Sequence, residues 1–248
     1  KINSAFAFTG SQYVTVPDHA DFSAMDAGSW CAWFKSSAAA QQILISKYYG
    51  GYEWYLYQKA AGQIGLRLIS GNNTNNYIDI VSTNAYNDSA WHCLAAVWDG
   101  SASSSGMTIY IDGVAVSATR SSGGVFIAIN DTSVAVTIGA LGNGSQPWTG
   151  CLDDIRIYKR PLSAQEIRAI YNGGSGTEDV VTPAVGDIWF DSDDNNKAYR
   201  WNGSAWVDAA YDVATWSKIV GDGKPDDNAD VTADNPISTF RETFWDPN

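Results

Sequence analysis

Two groups of acidic residues have the type and spacing for chemistry: Asp153-Asp154 within "CLDDIRIYKRPL", and "DSDDNN" at Asp191–Asn196. In a strand, alternation places Asp153 on the side of Ile155 and Ile157, facing the core. A carboxylate carried into a core needs a cation or several hydrogen-bond donors. Arg156 and nearby backbone N–H groups are the simplest partners. "DSDDNN" alternates oxygen ligands like the start of an EF-hand loop. However, its sixth position is Asn196 rather than Gly, and its twelfth is Asn202 rather than Glu. It therefore reads as a polar hairpin turn.

Hydrolysis of a sugar bond needs two carboxylates at a defined separation. Glu53 and Glu166 are the clear glutamates of the first two-thirds of the chain, and Asp79 with Glu53 is the remaining candidate pair. His19 and His92 are the two histidines. "WHC" offers no nucleophile beside His92, so a Ser-His-Asp arrangement is not expected. The chain reads as non-enzymatic. Aromatic residues are better placed for function: Tyr48, Tyr49, Tyr52, Trp54 and Tyr57 cluster around "SKYYGGYEWYLY". Aromatic faces stack on sugar rings while amides bind hydroxyls, and "SGNNTNNY" supplies amides nearby. The expected glycan site is Tyr48, Tyr49, Asn73, Asn75 and the loop at Trp148. The competing reading is that alternate aromatics of this hairpin are core.

These side chains must be held by strands. Short runs rich in Val, Ile, Thr and aromatics recur between Gly, Asn, Asp and Ser clusters: "QYVTVP", "SWCAWFKS", "QILISKY", "EWYLYQK", "IGLRLIS", "NYIDIVST", "WHCLAAVWD", "MTIYIDG", "VAVSAT" and "VAVTIGAL". Such a pattern predicts an all-β sandwich or barrel. Asp112-Gly113 is a two-residue hairpin signal. One helix is predicted in "PLSAQEIRAIYNGG", with Ser163 and Glu166 as a capping box and Gly173-Gly174 as its stop. It should dock on the sandwich and close one end of it. Residues 174–185 read as a linker. Residues 186–210 read as a three-stranded β-meander (187–191, 197–201, 205–208) too small for its own core. It should lean on the sandwich or on copies of itself. Residues 211–248 read as an extended acidic segment that oligomer contacts would order, given Ile237, Phe240, Phe244 and Trp245.

The 248-residue chain has a formal net charge of −12, 45% hydrophobic residues and 17% charged residues. Phosphate binding needs clustered Lys and Arg, so nucleic acid is excluded as a partner, and an anionic membrane surface is disfavoured. No run reaches the length of a membrane span. Cys31, Cys93 and Cys151 lack metal or redox spacing and read as buried small hydrophobes, with a Cys31–Cys93 bridge left open. No signal peptide is visible, and the start at Lys1 reads as a processed or excised chain.

"AFTGSQYVTVPDHADFSAMDAGSWCAWFK", "AWHCLAAVWDG", "MTIYIDGV" and "GCLDDIRIYKRPLSAQEIRAIYN" occur in one order. That order resembles the laminin-G-like, pentraxin-related concanavalin jelly roll over residues 1–173. The resemblance implies a two-sheet antiparallel jelly-roll sandwich with one short C-terminal helix, ligand-binding loops and a structural Ca²⁺ held by Asp153 with backbone carbonyls of Thr9 and Gly10. "GDIWFDSDDNNKAYRWNGSAWVDA" with "GDGKPDDNADVTADN" resembles short modules of bacteriophage tail, tail-tip and fibre proteins. Together they imply a virion appendage at an extracellular location that binds host-surface glycan or protein. It would contact other virion proteins and, by analogy with fibres, form a homotrimer. The alternatives are a structural decoration protein of the virion and a secreted bacterial carbohydrate-binding module.

Overall fold

The computed structural model describes residues 5–22, 25–71, 73–174, 183–191 and 197–209. Its strands are β1 (Phe6–Thr9), β2 (Val14–Val16), β3 (Gly28–Lys35), β4 (Gln42–Tyr48), β5 (Tyr52–Gln58), β6 (Gln63–Ile69), β7 (Tyr77–Ala85) and β8 (His92–Trp98). They continue with β9 (Met107–Ile111), β10 (Val114–Ala115), β11 (Ala118–Gly123), β12 (Val136–Ile138), β13 (Thr149–Tyr158), β14 (Ile188–Asp191), β15 (Lys197–Trp201) and β16 (Trp206–Asp208). They form two antiparallel sheets. The nine-stranded sheet runs β10-β9-β8-β3-β13-β14-β15-β16 with β1 also on β13, and the seven-stranded sheet runs β11-β7-β6-β5-β4-β12-β2. The order follows from alternation: Trp30, Ala32, Phe34, Leu94, Ala96 and Trp98 from one sheet meet Leu44, Trp54, Leu56, Leu66, Leu68 and Ile80 from the other in one buried core.

Asp112 (φ 52°) and Gly113 (φ 78°) turn the β9–β10 hairpin, both in the left-handed region that a two-residue turn of this kind demands. Helix α1 (Ala164–Tyr171) has the expected capping box between Ser163 and Glu166. It lies across a face, where an end had been expected. Ile167 and Ile170 bury the outer side of the nine-stranded sheet at Cys31, Trp33, Cys93, Val97 and Tyr158. The cysteines are free thiols, Cys31 and Cys93 being buried. Burial pushes Cys31 up to about 12.

β13 carries a bulge. Asp153 pairs with Trp33 but Arg156 pairs with Cys31, so three steps on β13 match two on β3. Asp154 is the extra residue, at φ 46°. This corrects the expected facing of Asp153. Leu152, Ile155 and Ile157 point into the core, whereas Asp153 lies beside Trp33 on the opposite side. Simple alternation fails because one inserted residue inverts the parity beyond it. The ion pair also falls on the other carboxylate: Arg156 Nε donates to Asp154 Oδ1 at 2.7 Å and Nη2 to Oδ2 at 2.9 Å.

The meander extends the sandwich. β14 pairs with β13 (Ile155↔Phe190, Ile157↔Ile188), and β15 and β16 follow. Ile188, Phe190, Ala198 and Ala209 enter the main core, with Phe22 and Phe190 stacked at 6.2 Å. Full burial of Ile188 and Phe190 contributes about 1.5–3 kcal/mol each. β1 (opposite 149–152) and β14 (opposite 155–157) thus lie end to end along one edge of β13. On the outer side Trp189 donates its Nε1 hydrogen to Asp154 Oδ1 at 2.9 Å and packs against Tyr199 and Trp206. Most of the expected linker, the "DSDDNN" turn and the C-terminal segment lie outside the described residues.

Candidate functional site

The two outer faces differ. Helix α1 covers much of one. The other, on the seven-stranded sheet, carries a row of polar and aromatic side chains. Inward residues of β5, β6 and β7 are apolar (Trp54, Leu56, Ile64, Leu66, Leu68, Ile78, Ile80), so their neighbours in sequence must face out. Cross-strand register then aligns Tyr55, Arg67, Asp79 and Ser121 in one line across four strands. The next row is Tyr57, Gly65 and Val81.

Gly65 makes this geometry possible. A Cβ there would sit 2.7 Å from Cε1 and Cζ of Tyr57. Without it, the Tyr57 ring lies over Gly65 and donates its hydroxyl hydrogen to Asp79 at 3.0 Å from Oδ1 and 3.2 Å from Oδ2. Arg67 Nη2 donates to Asp79 Oδ2 at 3.1 Å, and Ser121 Oγ approaches the same oxygen at 3.5 Å. The guanidinium carbon lies 4.1 Å from the Tyr77 ring centre and 5.9 Å from that of Tyr55, a cation–π arrangement that fixes its plane. Tyr48 joins the patch through ring contacts with Tyr52 at 4.9 Å and Tyr55 at 5.1 Å. Burial pushes the Tyr55 phenol up to about 12 and raises Tyr57 further. Both hydroxyls therefore remain protonated at neutral pH.

The β4–β5 and β6–β7 turns lie at one end of this face. Tyr49 is 54% exposed at the first turn. Asn73 and Asn75 are exposed on the second, where Asn73 Oδ1 accepts the Asn75 N–H at 3.0 Å. A strap over residues 124–134 fixes this rim. Val125 N–H donates to Asn76 Oδ1 and Ile127 N–H to Ser70 Oγ, both at 3.2 Å. Thr132 donates through its N–H and hydroxyl to Glu53 Oε1, while Lys47 Nζ binds Glu53, the Thr132 carbonyl at 2.6 Å and Asp18 at 3.0 Å. Burial raises the Glu53 carboxyl from its ordinary value, opposed by these donors.

The structure thus places Tyr48, Tyr49, Asn73 and Asn75 along one end of one face. Trp148 does not join them. It is 0% exposed in the core, edge-on to Phe34 at 6.3 Å. Sequence alone did not separate a loop tryptophan from a core one, because "SQPW" has no alternation to give its facing. Trp54 is likewise core. Three residues of the row, Tyr55, Arg67 and Ser121, are not singled out by the sequence. The signal for Arg67 was present in "IGLRLIS", where it interrupts inward apolar positions.

The expected calcium ligands are not gathered. Thr9 pairs with Thr149, which is four residues before Asp153, or about 13 Å along the strand. Calcium ligands must each lie within about 2.6 Å of the ion. Among the described residues no three His, Cys, Asp or Glu side chains group to hold a metal. Glu53 and Asp79 do not form a hydrolytic pair either. Register sets them two strands and two residues apart, about 12 Å between Cα atoms, and each is committed to the partners given above. His92 lies between Asp112 (2.8 Å) and Asp88 (3.2 Å) and packs against Phe34 and Tyr86.

A family model described as Laminin_G_3, the concanavalin A-like lectin/glucanases superfamily, matches residues 8–168. Among curated protein sequences none matches. Among solved structures, a putative carbohydrate binding protein from Bacteroides ovatus aligns at 16% identity and TM-score 0.55, over 84% of this chain and 56% of that one. The CBM40 of a Ruminococcus gnavus IT-sialidase aligns at 17% identity and TM-score 0.51, over 68% of this chain and 97% of that one. The receptor binding domain of botulinum neurotoxin mosaic serotype C/D aligns at 16% identity and TM-score 0.51, over 70% and 44%. At these identities the likeness is one of fold.

Proposed function

Because this chain belongs to the concanavalin A-like lectin/glucanases superfamily, we propose that it is a non-enzymatic binding domain that takes a glycan on the outer face of its seven-stranded sheet. The observation that carries this reading is the fixed row of Tyr48, Tyr55, Arg67 and Asp79, flanked by the Tyr49 and Asn73–Asn75 turns. Flat aromatic faces beside oriented donors suit sugar rings and their hydroxyls. Nothing in the row pairs two unengaged carboxylates across a bond to be cut.

In the fuller form of the proposal, the domain is part of an extracellular virion appendage that contacts host-surface glycan or protein, assembles with other virion proteins and works as a trimer. Many copies would convert weak sites into useful avidity. This form rests on the resemblance of the segment around Gly186–Ala209 to tail and fibre modules. The continuity of β14–β16 with the sandwich favours a second reading, a secreted carbohydrate-binding module to whose sheet these strands belong.

Glycan-array binding by the full chain tests the site. It should fall at least tenfold in Tyr55→Ala and remain in Arg168→Ala, which alters the exposed face of α1. Equal binding by native chain and Tyr55→Ala would reject this face. Molar mass in solution separates the two settings: a trimer supports the appendage and a monomer supports the module.

A further inference from the structure

Arg67 has hydrogen-bonding capacity that the protein leaves unused. Of the five N–H groups of its guanidinium, one on Nη2 serves Asp79 and the Nε–H is closed off from solvent, while 27% of the side chain is exposed at the centre of the tyrosine patch. Asp79 is in the opposite condition. It is 4% exposed and already accepts from Tyr57, Arg67 and Ser121. The centre of the face therefore offers donors and lacks a vacant strong acceptor. A neutral sugar presents hydroxyls that both give and receive hydrogen bonds, and the acceptors left for it here are the weaker phenol oxygens of Tyr48 and Tyr55.

We infer that the ligand bound on this face carries a carboxylate, making it an acidic sugar, and that Arg67 is the residue that receives it. The inference rests on the glycan reading above and narrows it to a substrate class. A planar guanidinium matches a planar carboxylate through two parallel N–H···O bonds, and such charge-assisted pairs exceed neutral ones in strength. Stacking on Tyr77 and the bond to Asp79 hold the fork before a ligand arrives, so little freedom is lost on binding. Tyr48 and Tyr55 supply the surface on which the ring of the same sugar lies. The overall charge of −12 opposes an anion at long range, so the recognition acts at contact, where salt screens it least.

The test measures the full chain against matched oligosaccharides: uronic-acid and sialic-acid-terminated chains, their carboxyl-reduced forms and a sulfated neutral chain. The native protein should bind the carboxylate forms at least tenfold more tightly than the reduced ones. Arg67→Gln should abolish that preference while keeping the weaker binding of reduced chains. Arg67→Gln/Asp79→Asn, which leaves no unpaired buried carboxylate, should do the same and guards against misfolding of the single variant. Equal binding of acid and reduced forms by native protein, or a preference that survives both variants, would overturn the assignment to Arg67 with the glycan site intact. Tighter binding of the sulfated chain than of the carboxylate forms would overturn the choice of carboxylate. Absence of binding to every sugar would overturn the glycan reading itself and this inference with it.

Discussion

Replacing Arg156 by Met is the sharpest test of how the bulge in β13 holds the sandwich to its last three strands. The Asp154 and Arg156 side chains are each 2% exposed. Arg156 meets both carboxylate oxygens and lies 5.3 Å from the Trp189 ring. Removing the cation leaves a buried carboxylate with Trp189 Nε1 as a donor. Breaking a buried pair in this way costs about 3–5 kcal/mol. At about 2–4 °C per kcal/mol for a domain of this size, the melting temperature should fall by roughly 6–20 °C. Asp154→Asn/Arg156→Met removes both charges, keeps a residue type that tolerates the left-handed backbone at this position, and leaves the new amide incompletely paired, a penalty of about 1–3 kcal/mol. The double variant should therefore be more stable than the single one. Calorimetry measures both, and hydrogen exchange should show the extra loss of protection concentrated in β13 and β14. A single variant that loses under about 1 kcal/mol, or a double variant less stable than the single, would refute an ion pair of this importance.

Three further outcomes follow from other sites. Hydrogen bonding to Asp112, more than the weaker contact with Asp88, raises the His92 imidazole above its ordinary value. Its stabilisation is then full below the unfolded value of about 6.5 and is lost as pH rises through the higher folded value. The melting-temperature advantage of the native chain over His92→Asn should accordingly shrink from mildly acidic to alkaline pH, and an advantage that grows instead would contradict the ion pair. Burial holds the Cys31 and Cys93 thiols in their protonated form. A thiol reagent should titrate them only on unfolding and after the less buried Cys151, so rapid native reaction of all three would disprove the packing under α1. Finally, the distance between Thr9 and Asp153 means that Asp153→Asn, which removes the charged ligand of the expected calcium set, should leave any difference between melts in calcium and in EDTA unaltered. A difference erased by that change would show Asp153 holding an ion.

What the sequence made legible was whatever period two controls. "EWYLYQK" and "IGLRLIS" declare their strands because β-branched and aromatic residues alternate between two environments, and β5 and β6 occupy those runs. Of the meander strands expected at 187–191, 197–201 and 205–208, the second coincides with β15 and the other two start one residue before β14 and β16. Ser163 and Glu166 announce the helix start because the cap is local chemistry. Lateral relations were hidden. Nothing within "GDIWF" says that Trp189 will lie opposite Arg156, and nothing local sets Tyr55, Arg67, Asp79 and Ser121 in a row, since they come from four separate strands. The facing of Asp153 was misread because a bulge depends on the partner strand. Trp148 was misplaced because a loop flanked by Pro and Gly carries no periodic signal.

The edge of β13 has a consequence for handling the protein. The family match stops at residue 168, so the natural place to cut would follow the helix. A fragment cut there would strip β14 from the bulged strand. That uncovers a row of unpaired amides beside the apolar positions vacated by Ile188 and Phe190. Bare edges of this kind recruit other chains. The shortened molecule should come out of purification as dimers and aggregates, while one carried through Ala209 stays dispersed.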